Sequence, residues 1–188
     1  MPHPFILNGT TFDLSHLNTI KGKTRAALRA SETRVAVEID FSCHCWSRLP
    51  VAGESIPPSH FVADGSKEMP RNRIFCETRY ELSRALPQVM GNMLAHSGQI
   101  YKTRKKNILR IDLVAPVVAG TTLTEYFLFM KLEKRTPEGA QKYVRIFVES
   151  AYPESVLYDK VDYGKPFSFA ELIGDCWEGR YPPKLAQK

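Results

Sequence analysis

Long apolar runs are missing from this 188-residue sequence. No stretch of about 18 apolar residues occurs, which excludes a membrane-spanning helix. The start, MPHPFILNGTTFDL, has no basic segment leading into an apolar one, so it does not read as a secretory signal. Cysteine is scarce: four residues without regular spacing predict free thiols and a cytoplasmic location rather than a disulfide framework. Glycine-rich phosphate loops, HExxH, EF-hand loops and dinucleotide fingerprints are absent, as is a Gly-x-Ser-x-Gly nucleophile elbow. These absences remove most nucleotide- and metal-dependent enzymes and predict no cofactor. There is no internal repeat and no low-complexity tract.

What is there belongs to an ordinary globular chain, 43% hydrophobic and 24% charged. That length and composition predict one domain over 1–188, with residues 1–33 as a loosely structured N-terminal extension. The net charge of +6 gathers in two clusters, Lys21, Lys23, Arg25 and Arg29, and Lys102, Arg104, Lys105 and Lys106. Such clusters predict RNA or another polyanion as partner and no membrane.

The most legible stretch is Leu123 to Tyr152, two long strands around a Pro-Glu-Gly turn. Tyr126, Leu128, Met130 and Leu132 alternate onto one face, continued by Val144, Ile146 and Val148. The opposite face mixes Phe127, Phe129, Tyr143 and Phe147 with charged residues, too aromatic for full exposure. Arg34 to Trp46 alternates as a strand, with Cys43 and Cys45 on one face and Asp40, Ser42 and His44 on the other. Residues 49–70, rich in proline, read as loop with an edge strand at His60 to Ala63. Arg71 to Cys76 and Ile108 to Val114 read as strands, and TRAALRAS at 24–31 as a short helix. Glu77 to His96 carries a helical stripe of Leu82, Leu86, Val89 and Met93. Pro87 predicts a break near Leu86, and Gly98 a stop. Ser168 and Glu171 form a capping box that starts a short C-terminal helix. Together these predict an α+β fold: a single antiparallel β-sheet of four to six strands, one long kinked helix packed on a face, and a short C-terminal helix.

The candidate chemistry is cationic and imidazole-based. Asp40, Ser42 and His44 do not make a triad, because alternate strand positions spread Asp40 and His44 about 13 Å apart. His44, at the strand's end before the loop, suits acid–base work. Arg79 flanks the helix stripe, and Arg145 shares its face with aromatics. Tyr80 supplies a second proton carrier, and Arg73 a fork for phosphate. The candidate catalytic set is therefore His44, Arg79, Tyr80 and Arg145, with Arg73, Lys102, Arg104 and Lys105 for phosphate. A zinc site at Cys43, Cys45 and Cys76 is a lesser alternative, because C-x-C on a strand is not a zinc knuckle.

In architecture alone, a helix before an antiparallel sheet on a small basic body resembles the RelE-type ribonuclease toxins. The chain is considerably larger and carries no diagnostic motif of theirs. The reading is a metal-independent, toxin-like endoribonuclease, which requires His44 to meet Arg79 or Arg145 around one pocket. The alternative is a non-enzymatic protein- or RNA-binding module.

Overall fold

The computed structural model describes residues 3–65, 70–103, 108–114, 124–153 and 163–181. Its centre is the expected hairpin, β10 (Thr124–Arg135) paired antiparallel with β11 (Tyr143–Pro153). A register shift at Phe129/Met130 leaves Glu149 bulged, since Met130 faces Val148 and Phe129 faces Ser150. The bulge moves the buried series of β11 from Val144, Ile146 and Val148 onto Ala151 without turning the strand over. Phe127 and Phe129 on the other face are also buried, with Leu109, in a second small cluster that Tyr152 flanks.

The expected single antiparallel sheet of four to six strands is not what forms. β9 (Ile108–Val114) pairs with β10, and β8 (Gln99–Thr103) and β12 (Tyr163–Ser168) extend that edge. On the other side β11 pairs in parallel with β4 (Glu32–Phe41), which pairs antiparallel with β3 (Ile20–Ala27). The result is a mixed seven-stranded sheet, ordered β12-β8-β9-β10-β11-β4-β3 and curled into a half-barrel. Two small sheets accompany it: β1 (Phe5–Leu7) with β2 (Thr10–Phe12), and β5 (Ser47–Arg48) with β7 (Pro70–Phe75) and β6 (Phe61–Gly65).

β3 takes up the start of the TRAALRAS run, read above as a helix, because its inward positions are small. After Ile20, the residues Gly22, Thr24 and Ala26 alternate toward the helices, and a Cβ at Gly22 would already touch Leu94 Cδ1 at 3.4 Å. Thr24 is fully buried and donates its hydroxyl to the Leu94 carbonyl at 2.8 Å. A Cβ added at Gly174 would stand 1.9 Å from the Ala27 carbonyl oxygen, so helix and strand touch backbone to backbone there.

The long helix follows the expected span with the expected break: α1 (Glu77–Ser83), then α2 (Leu86–His96). Pro87 lies in the first turn of α2, where its missing N–H leaves no bond unmade. Ser97, left-handed at φ 51°, ends the helix one residue before Gly98. α3 (Phe169–Trp177) begins with both capping-box bonds formed by Ser168 and Glu171. Among the described residues no helix is long and apolar enough to cross a membrane.

Candidate functional site

β4 stops at Phe41, not at Trp46. Ser42 caps a single 3₁₀ turn, Cys43–Cys45, its hydroxyl accepting from the His44 N–H at 3.1 Å. The turn breaks the alternation, so Cys43 and Cys45 do not share a strand face. It also carries His44 toward the β6–β7 hairpin, where Val62 faces Arg73 and Asp64 faces Arg71 across the register. His44 Nε2 there lies 2.7 Å from an Asp64 carboxylate oxygen, both side chains half-buried.

Two arginines close the inner side. Arg73 donates through Nε to Ser47 Oγ at 2.8 Å and through Nη2 to the Ser47 carbonyl at 2.9 Å. Arg79 donates Nη1 to the same carbonyl at 3.0 Å and to the His44 carbonyl at 3.3 Å. The Arg79 guanidinium stacks 4.8 Å from the Tyr152 ring centroid. Both arginines are buried, and Ser47, fully buried, passes its own hydroxyl to the Cys43 carbonyl at 2.6 Å. Arg79 Nε and the Tyr126 hydroxyl are buried without a hydrogen-bond partner among the described residues.

Charge is consistent with that geometry. Burial acts to raise the Asp64 carboxyl, but the His44 contact and the neighbouring Arg73 outweigh it and hold Asp64 below the usual range. Burial lowers Arg73 from its ordinary value, with Cys43 and Asp64 opposing. Burial, then the Asp64 charge, pushes the Cys43 thiol up. An ionised Asp64 can only accept, so the 2.7 Å contact requires the proton on His44 Nε2. Nδ1 is then the exchangeable position, and it has no hydrogen-bond partner among the described residues.

Arg73 and Arg79 meet at the Ser47 carbonyl, and Arg79 also reaches the His44 backbone carbonyl. Tyr80 and Arg145 are engaged elsewhere. The Tyr80 hydroxyl donates to the Asp13 carbonyl at 3.1 Å, inside an aromatic group with Phe12, Phe75 and His16. Arg145 Nε donates to Asp40 at 2.6 Å, and Asp40 also accepts from Thr19 at 2.7 Å. Lys102 lies 5.1 Å over the Phe167 ring, while Arg104 and Lys105 fall outside the described residues. Of the three thiols weighed for zinc, Cys45 is fully buried, with burial pushing it up to about 12, and its Sγ contacts the Val148 carbonyl. Cys76 precedes α1 and does not join it. The set that does converge is Cys43, His44 and Asp64, whose ligand atoms lie within 4.8 Å of one another.

No local pattern in the sequence marks Asp64 or Ser47. Asp64 sits beside a glycine in a proline-rich stretch that carries no periodicity, and only the β6–β7 pairing delivers it to a histidine twenty residues earlier. A separate groove of about 670 Å³ lies beside β12 and α3, with Arg29, Lys102, Lys165 and Arg180 among its walls. Arg180 is paired with Asp175 at 2.6 Å and with Glu178.

Against known proteins, residues 4–177 match the model of the YjaZ family. No curated protein and no solved structure matches the chain.

Proposed function

The chain belongs to the YjaZ family, and we propose that it is an enzyme that cleaves RNA without a metal, with His44 as its acid–base group. The observation that carries the reading is the 2.7 Å contact between His44 Nε2 and Asp64, with no partner on Nδ1 among the described residues. A carboxylate that fixes tautomer and ring orientation is what a histidine base needs. RNA supplies its own nucleophile, the ribose 2′-hydroxyl, so no activated serine or bound metal is required. Nδ1 takes that proton as the oxygen attacks phosphorus, and the departing 5′-oxygen is protonated from solvent.

Arg73 and Arg79 act here as fixed charge. Their guanidinium groups are held by backbone carbonyls and the Ser47 hydroxyl, with no carboxylate hydrogen-bonded to either among the described residues. Positive charge fixed in advance favours the negative charge that grows on a phosphorane. Tyr80 and Arg145 are left out of the proposed set, because the Tyr80 hydroxyl is bonded to the Asp13 carbonyl and Arg145 Nε to Asp40. The net charge of +6 favours encounter with a polyanion.

The test is cleavage of labelled RNA by purified protein in EDTA at low salt. Cutting is expected, and His44→Ala should slow it on the order of 10²-fold or more. No cutting by the unaltered protein ends the proposal. The groove beside β12, lined by four basic and two acidic side chains, supports a second reading, an RNA binder without turnover. Binding that survives His44→Ala in a protein that never cuts would favour it.

A further inference from the structure

Cys43, His44 and Asp64 present a thiol, an imidazole and a carboxylate within 4.8 Å of one another, half-buried and reachable from solvent. We propose that this trio is a zinc site, and that zinc bound there switches off the histidine the RNA-cleaving reading depends on.

Mixed sulfur, nitrogen and oxygen donors suit Zn²⁺ and do not suit Mg²⁺ or Ca²⁺. At zinc–ligand bonds of about 2.0–2.3 Å, tetrahedral donors stand about 3.3–3.6 Å apart. The Nε2 to Oδ2 separation of 2.7 Å must therefore widen. Side-chain rotation on the 3₁₀ turn and the hairpin has to supply that widening and close any donor pair near the 4.8 Å limit. Three protein ligands leave a fourth position open to water, unlike the closed four-ligand shell of a structural zinc. Arg73 and Arg79 oppose a dication, while the thiolate and carboxylate charges offset it.

The proton balance is simple. The Cys43 thiol loses its proton to solvent as the Zn–S bond forms. The Nε2 proton of His44 moves to Nδ1 as Nε2 takes the metal. Asp64 is already ionised and releases nothing. One proton leaves per zinc bound, and the hydrogen bond to Asp64 and the Nδ1 lone pair are lost together. A ribose hydroxyl then meets no base.

Cobalt titration of the full chain reads the site directly. A thiolate-to-cobalt charge-transfer band in the near ultraviolet, saturating at one cobalt per chain, is expected, displaced by zinc. Cys43→Ser should abolish the band while melting close to the unaltered protein. A second variant, Asp64→Asn, should weaken cobalt binding on the order of tenfold. In the RNA assay, zinc should slow the unaltered protein and EDTA restore it. In Cys43→Ser the ratio of rates with and without zinc should approach one. No band, a band indifferent to Cys43→Ser, or bound zinc without slowing overturns the proposal. If the protein cuts no RNA in EDTA, the cleavage reading and the switch both fail, and the cobalt band still decides the metal site by itself.

Discussion

A histidine that gives one ring nitrogen to an ionised carboxylate has one left for chemistry, and the carboxylate chooses which. In His44 the choice falls on Nδ1, because Asp64 holds Nε2. Asp64→Asn keeps the size and removes the charge, so the amide can donate to Nε2 and reverse the tautomer. The expected result is RNA cleavage slowed about 10²-fold with little change in melting temperature, measured by kinetics beside a thermal melt. An unchanged rate would remove Asp64 from the mechanism. The residue's chemistry was readable in the sequence and its partner was not. His44 reads as the imidazole at a strand's end, on the same face as Asp40 but about 13 Å from it. Asp40 instead bonds Thr19 and Arg145, and the partner comes from a hairpin that no periodic pattern announces.

Elements show the same division between local and distant physics. Two glycines in the helices give opposite expectations. A Cβ at Gly174 would meet the Ala27 carbonyl at 1.9 Å, backbone that cannot move without displacing β3. Gly174→Ala should cost about 1–3 kcal/mol and lower the melting temperature by several degrees. A Cβ at Gly91 meets nothing within 4 Å and lies inside α2. Gly91→Ala should therefore stabilise by about 0.5–1 kcal/mol through helix propensity alone. Thermal melts of the two variants check both signs. The break before Pro87 and the start at Ser168 were legible because each depends on residues within one turn. β3 was not, because its inward face carries Gly22, Thr24 and Ala26, small residues that give no hydrophobic alternation. Their smallness records how near the helices come.

Across the whole molecule, the parallel junction of β4 and β11 joins segments about a hundred residues apart, and Asp40 spans it. Its carboxylate accepts from Thr19, ahead of β3, and from Arg145 on β11. Burial acts to raise Asp40, but those two bonds and the Arg145 charge outweigh it and hold it below its ordinary value of 3.8. A folded-state value below the unfolded one stabilises the protein above that pH. The contribution is lost as pH falls through the folded value. Melting temperature should thus drop in that acidic window, and Asp40→Asn should start lower at neutral pH and drop less. Equal pH dependence in both proteins would show that the junction does not rely on this charge.

Residue order is enough to specify the central hairpin, the two-part helix and its break, the capped C-terminal helix and the cationic, imidazole-bearing character of the chain. Each rests on interactions between neighbours a few residues apart, whose spacing is written directly in the order of side chains. Packing alone sets the seven-stranded mixed sheet, the contact of His44 with Asp64, and the placing of Arg73 and Arg79 on the Ser47 carbonyl beside that turn. Which strand lies beside β11, and which carboxylate faces a histidine, follow from packing the whole chain at once, and no local period encodes that choice.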